Sequence, residues 1–190
     1  MVEKLFIIAS RSEAEDRLTS SEPVYALLSI GDPGTPWPSG ASKVKGPKLK
    51  LEFDDVTRTT PELLTEIVLP TEEHVRQALA WWNEEVASIS FLRGDLGPLL
   101  VHCPAGKARS AALALLMLAT LNGSGKEEES LKDLLRLRPQ ALPNELIVEH
   151  GDRLLGRQGR LLDAVTAYNR SDLAPVGAAL ARLVQEGGAR

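Results

Sequence analysis

Five residues separate the chain's one cysteine, Cys103, from Arg109, and the residues best suited to chemistry lie in the run Val101-His102-Cys103-Pro104-Ala105-Gly106-Lys107-Ala108-Arg109-Ser110. The apolar stretch Pro98-Leu99-Leu100-Val101 before it predicts a short buried strand, and Ala111 to Leu121 after it predicts a buried helix. A thiol placed where a strand ends and a helix begins is surrounded by backbone N–H groups and by the positive end of the helix dipole. Such surroundings bind anions and favour the thiolate. Arg109 adds a planar fork of donors that matches a tetrahedral oxyanion. A nucleophile inside an anion cradle is what taking a phosphoryl group from an ester requires, together with an acid for the leaving oxygen.

His102-Cys103 with Gly106, Arg109 and Ser110 resembles the signature loop of the cysteine-dependent protein tyrosine phosphatases, especially their compact dual-specificity type. Most free cysteines are small buried apolar residues, but that reading leaves Arg109 and Gly106 unexplained. The resemblance implies that Cys103 is the nucleophile and becomes a phosphocysteine. Arg109 would hold two phosphoryl oxygens, and the backbone N–H groups of residues 104–109 (Pro104, Ala105, Gly106, Lys107, Ala108 and Arg109) would hold the rest. Gly106 would let the loop curl and approach its ligand without a Cβ. His102 would support the loop by hydrogen bonding rather than act as a base. Ser110 has two readings: a cap or first-turn residue of the next helix, or a hydroxyl bonded to the cysteine sulfur that aids its departure. Ala105-Gly106-Lys107 is similar to the loop of some phosphoinositide phosphatases, so Lys107 either draws highly phosphorylated substrates or faces solvent at the rim.

The same resemblance puts the general acid on an aspartate at or just after the strand preceding the long helix. In Phe53-Asp54-Asp55-Val56 that residue is Asp55, with Asp54 as the alternative, since a one-residue shift reverses the face addressed. The separation from Cys103 exceeds that of the smallest members, the extra length falling around Thr57 to Leu69. Further along, Arg138-Pro139-Gln140-Ala141-Leu142-Pro143-Asn144, Asp152 and Leu154-Leu155-Gly156-Arg157 look like a subgroup of bacterial tyrosine-phosphatase-like proteins, a likeness spanning residues 98–166. Asn144 reads as a helix cap. Arg138 either touches the loop or lies on the surface.

The whole chain sets bounds on these readings. Its 190 residues suit one well-buried domain, with residues 1–109 forming the sheet half and 110–190 the helical half. A net charge of −4 without a dense basic cluster argues against nucleic acid as a partner. A lone cysteine excludes an internal disulfide and fits a reducing compartment. The apolar runs Leu5 to Ala9 and Ser110 to Leu121 are too short for a secretory signal and a membrane span. His74 and His150 fit no ligand spacing with His102, so neither metal nor other cofactor is expected. A cytoplasmic enzyme acting on a phosphorylated protein or small phosphoester is the expectation, with oligomeric state left open.

Several elements must position the loop. Leu5 to Ala9 predicts a first strand, and Ser12 with Glu15 predicts a capping box at the start of a helix. Val24 to Ile30 predicts a central strand buried on both faces. Residues 31–48, rich in glycine and proline and carrying Trp37, Lys43, Lys45 and Lys48, read as a loop, either part of the substrate rim or a plain connector. Leu49, Leu51 and Phe53 alternate with polar residues, as in a half-buried strand. Thr71 caps a helix whose Val75, Ala78, Leu79, Trp82 and Val86 share one face, while Trp81 lies off that stripe. Helices follow over Glu127–Leu137, from Pro143-Asn144 to Leu155, over Arg160–Tyr168 and over Leu173–Val184. Thr57 to Leu69 reads as a loop with a short helical turn near Pro61.

Strands alternating with helices, then helices alone, predict an α/β fold: a small, mainly parallel sheet flanked by helices, with Cys103 at the carboxyl ends of the strands. The fold that the resemblance implies is the same. The favoured function is a cysteine-dependent phosphomonoester hydrolase. Its rivals are a pseudophosphatase that binds phosphorylated partners without turnover and a thiol redox or arsenate-reducing enzyme. The latter lacks a resolving cysteine in this chain.

Overall fold

At the centre lies a four-stranded parallel sheet of β1 (Phe6–Ser10), β2 (Ala26–Gly31), β3 (Lys48–Glu52) and β4 (Leu99–Cys103), in the order β1-β4-β2-β3. The computed structural model describes residues 2–57 and 67–171. The two inner strands, β2 and β4, are buried along their whole length, as continuous apolar runs covered on both faces must be. β3 carries its lysines on an edge and is only partly buried.

Successive side chains address opposite faces, so each strand feeds two cores. Ala9, Leu27 and Leu100 pack under α1 (Arg11–Thr19) and against Ala41 and Val44. Phe6, Ile8, Leu28, Val101 and Cys103 face the larger core. That side is covered by α2 (Glu72–Trp81), the one-turn α3 (Ile89–Leu92), α4 (Arg109–Asn122), α5 (Glu127–Leu137), α6 (Glu145–Leu154) and α7 (Arg160–Asn169). α4 is apolar around its circumference, with Leu113, Leu115, Leu116 and Leu118 all buried, and this suits a helix enclosed by neighbours.

Three local readings need correction. The capping box is formed by Ser10 and Glu13, not Ser12 and Glu15: β1 runs through Ser10, and α1 begins at the next residue. The same Ser-x-x-Glu spacing occurs twice, and the strand end selects the first. Secondly, Trp81 is buried beside Trp82, whereas periodicity puts it off the stripe. A π-turn over Trp82–Val86 follows α2, closed by Ala87 N–H donating to the Trp82 carbonyl five residues back. α2 is regular through Trp81, so the cause is a buried face wider than the predicted stripe, which takes both indoles into the core. Thirdly, Arg109, not Ala111, opens α4.

The helix capped by Thr71 starts where predicted, and so do α5, α6 and α7 to within two residues, while the one-turn α3 has no counterpart in the sequence reading. Most of the uncertain stretch Thr57 to Leu69, and all of Leu173 to Val184, lie outside the described residues. No helix among the described residues is long and apolar enough to cross a membrane.

Candidate active site

Every strand of the sheet ends at the same edge, and the residues that follow those ends form the site. Arg11 follows β1, Asp32 follows β2, Phe53-Asp54-Asp55 follow β3, and Pro104 follows β4. Parallel strands with helices on both faces leave this edge open to a ligand.

The loop from Pro104 to Ala108 is gripped from outside by its carbonyls. Pro104 O accepts from Arg11 N–H (3.2 Å), Lys107 O from Leu142 N–H (2.8 Å) and Ala108 O from Asn144 N–H (3.3 Å). Gly106 O accepts from Arg138 Nε at 3.0 Å. Each peptide here is trans, so an outward carbonyl turns the next N–H the opposite way. The N–H groups of Ala105, Lys107, Ala108 and Arg109 therefore face inward. None of these makes a hydrogen bond among the described residues. The expectation that residue 104 also donates is corrected: Pro104 has no N–H, so its part in the loop is the outward carbonyl alone. α4 adds to the same region, since its cap residue, Ala108, offers no side-chain acceptor to the first-turn amides.

Gly106 is required for a reason other than ligand approach. Its φ is +66°, and a Cβ there would stand 2.3 Å from Ser10 N and 2.4 Å from Ala9 C. The close approach is to the end of β1, which the loop wraps.

Cys103 is fully buried at the base of this loop, and its Sγ lies 3.2 Å from Ser110 Oγ. Ser110 is the second residue of α4, so its hydroxyl serves the sulfur instead of capping the helix. His102 is 1% exposed, and burial, reinforced by the nearby Arg11 cation, pushes its imidazole down to about 4. Neither ring nitrogen makes a side-chain hydrogen bond of good geometry among the described residues, so the loop's external ties come from other groups. Lys107, Pro104 and Ala105 are exposed.

Arg109 is 4% exposed. Its Nη1 donates to the Phe53 carbonyl and to Asp32 Oδ1, each at 2.6 Å. Nε and Nη2 share the other edge of the guanidinium, and Nε is buried without a hydrogen-bond partner among the described residues. Asp55 Oδ2 lies 3.7 Å from that Nε. A planar fork is thus held from behind with one edge left for an anion.

The two candidate acids separate cleanly. Asp54 Oδ2 accepts from Val68 N–H at 2.7 Å, and Asp54 N–H donates to the Val68 carbonyl at 2.8 Å. That carboxylate is tied to Val68. Asp55 instead faces Arg109, and its Oδ1 accepts from Asn144 Nδ2 at 3.0 Å.

The stretch from Arg138 to Asn144 collars the loop. Besides holding Gly106 O, Arg138 clamps both oxygens of Glu13 at 3.0 and 2.8 Å, and these bonds hold the Glu13 carboxyl down to about 2. Asp152 caps α7 from α6, accepting from Gly159 and Leu161 N–H. Arg157 donates to the Ala119 carbonyl in the last turn of α4. Sequence reading missed Asp32, which lies in a Gly-Asp-Pro-Gly turn 77 positions from Arg109. In the same connector Arg11 holds the carbonyls of Pro36 and Trp37, and Lys43 donates to the Thr19 carbonyl at the end of α1. Among the described residues no cluster of His, Cys, Asp or Glu has the arrangement of a metal site.

No protein-family model and no curated protein sequence matches this chain. Solved structures do resemble it. PTPMT1 in complex with PI(5)P aligns with a TM-score of 0.51 and 18% identity, covering 86% of this chain and 93% of that one. Human DUSP28 gives a TM-score of 0.54 at 18% identity over 85% and 94%. Tk-PTP in its active form gives 0.53 at 20% identity over 81% and 92%. The chain therefore has the α/β fold of the dual-specificity and tyrosine phosphatases. At these identities the likeness defines the fold, and the chemistry rests on the site.

Proposed function

We propose that the protein is a cysteine-dependent phosphomonoester hydrolase acting through a phosphocysteine. The observation that carries this reading is the loop itself. Its outward carbonyls are all tied elsewhere, and its free N–H groups surround a buried thiol at the uncapped start of a helix. That arrangement has no role in packing that an apolar turn could not fill, and it suits a phosphoryl dianion.

In this mechanism Cys103 Sγ attacks phosphorus, and the bond from phosphorus to the leaving oxygen breaks. Asp55 gives its proton to that oxygen. The Nε–Nη2 edge of Arg109 and the inward N–H groups hold the equatorial oxygens as charge builds on them. Water then attacks phosphorus, Asp55 takes a proton from it, and Sγ leaves with the Ser110 hydroxyl donating to it. Phosphate departs and the acid is regenerated.

The test is hydrolysis of an aryl phosphate by wild type and Cys103→Ser, with EDTA present and vanadate as inhibitor. EDTA-resistant, vanadate-sensitive turnover that falls by roughly a thousandfold or more in the variant is expected for loss of a covalent nucleophile. Undiminished turnover in Cys103→Ser would sink the mechanism. Tight vanadate binding without turnover in the wild type would make the protein a phosphate-binding module.

A further inference from the structure

Asn144 touches three parts of the site at once. Its backbone N–H donates to the Ala108 carbonyl of the loop. Its side-chain Oδ1 accepts from Leu146 N–H (3.1 Å) and Ile147 N–H (3.2 Å), capping α6. Its Nδ2 donates to Asp55 Oδ1 (3.0 Å) and to the Val56 carbonyl (3.2 Å). The residue is 3% exposed. Both donors and both acceptor positions of the amide are used, which also fixes which end is nitrogen. Rotating the amide away from Asp55 would leave two helix N–H groups bare in a buried setting, so the cap locks the contact. Asn169 Nδ2 adds a brace, donating to the Pro143 carbonyl (3.1 Å) and Glu145 Oε1 (3.1 Å).

We propose that Asn144 is a positioning residue for proton transfer. Its amide holds Oδ1 of Asp55 as an acceptor, leaving Oδ2, the oxygen 3.7 Å from Arg109 Nε, to carry the proton. This rests on the phosphatase reading and deepens it. An oxygen already accepting an N–H is the less basic of the two, so the proton resides on Oδ2. In the first step the Oδ2–H bond breaks and the leaving oxygen gains that proton. In the second, the attacking water gives a proton back to Oδ2. Removing the amide lets the carboxyl rotate, and the acid is then aimed correctly in only a fraction of encounters.

The test uses two variants that keep a capping oxygen, Asn144→Ser and Asn144→Thr, because hydroxyl side chains also cap helices and neither adds a charge beside Asp55. Aryl phosphates with leaving phenols from weakly to strongly basic are hydrolysed, and vanadate inhibition is measured alongside. Since poor leaving groups depend on protonation, kcat/KM is expected to fall about tenfold or more for phenyl phosphate and less than about threefold for p-nitrophenyl phosphate. Vanadate inhibition should stay unchanged in both variants. A uniform loss across all leaving groups, a parallel weakening of vanadate, or no change at all overturns the proposal. No turnover by the wild type at all overturns the phosphatase reading, and this inference with it. Turnover in the wild type with a flat response in the variants overturns this inference alone.

Discussion

The loop from Pro104 to Ala108 and the aspartates beside it are held by different kinds of bond. Main-chain donors, together with the Arg138 side chain, fix four loop carbonyls, and Gly106 is wedged against the end of β1. Asp55 is held by side chains only, the Asn144 amide at Oδ1 and the Arg109 guanidinium 3.7 Å from Oδ2, and Asp32, 56% exposed at its side chain, reaches Arg109 through a single oxygen. Backbone ties leave the loop little freedom, whereas a carboxylate held by side chains alone turns once one of them is lost. The part that would bind the dianion is rigid, and the part that would move protons is adjustable. Preorganised donors lower a barrier because they need not rearrange as charge develops. A proton carrier held this way is open to misaiming by a single side-chain change.

The largest effect is expected where the rigid side is broken. Gly106→Ala puts a Cβ into the backbone of Ala9 and Ser10 at a positive φ, so the loop must leave β1. Vanadate inhibition and turnover should both fall by roughly a hundredfold or more, with stability lowered by about 2 kcal/mol or more. Wild-type vanadate inhibition in this variant would show that the loop is not over-determined.

Next comes the adjustable side. Asp55→Ala should cut kcat/KM for poor leaving groups by about a hundredfold while leaving vanadate inhibition in place. Asp54→Ala should instead lower stability and affect all substrates alike, since that carboxylate accepts from Val68 N–H. The opposite pattern in the two variants would reverse their roles.

A third effect concerns stability against pH. His102 titrates near 4 in the folded protein, below its ordinary 6.5. Between these values the unfolded chain takes up a proton that the folded chain refuses. This group therefore leaves stability intact above pH 6.5 and removes it as pH falls toward 4, by up to about 3 kcal/mol. Urea unfolding from pH 7.5 to 4 should show that slope, and His102→Asn should flatten it. His74, also lowered by burial, contributes in the same sense and remains in the variant. Glu13, held down to about 2 by Arg138, adds a further loss below its ordinary 4.5. An unchanged slope in His102→Asn would place the penalty elsewhere.

The smallest change sharpens the comparison most. Asp32 pulls on Arg109 with a charge that opposes an incoming dianion, while the Phe53 carbonyl holds the same Nη1 from a buried position. Exposed ion pairs contribute little to geometry, so Asp32→Asn is expected to tighten vanadate inhibition by about two- to fivefold. Weaker inhibition would mean that Asp32 orients the guanidinium more than it competes for it.

Much of this was legible in the chain, and the exceptions share a cause. Strand, cysteine, loop and helix follow one another within about twenty residues, and each carries a local signature of apolar run, glycine or period. The cap at Asn144 was legible for the same reason, because Oδ1 reaches residues two and three positions on. Its Nδ2 contact, 89 positions back to Asp55, was not. The pairs Arg109–Asp32 and Arg138–Glu13 lie 77 and 125 positions apart. A charged residue that finds its partner across the fold has no pattern in its own neighbourhood. Gly106 was legible as a glycine, but its reason is the end of a strand nearly a hundred residues earlier.

The four carbonyl ties of the loop also link binding to assembly. Their donors are Arg11, Arg138, Leu142 and Asn144, so the cradle exists only after stretches from both halves of the chain have met. An oxyanion held there binds the completed fold and not its pieces. By mass action a ligand at a hundred times its dissociation constant then adds about 2.7 kcal/mol to the free energy of unfolding. Phosphate, the proposed product, would thereby also be a folding ligand: the cell's own anion pool would favour the finished chain over every partly assembled one.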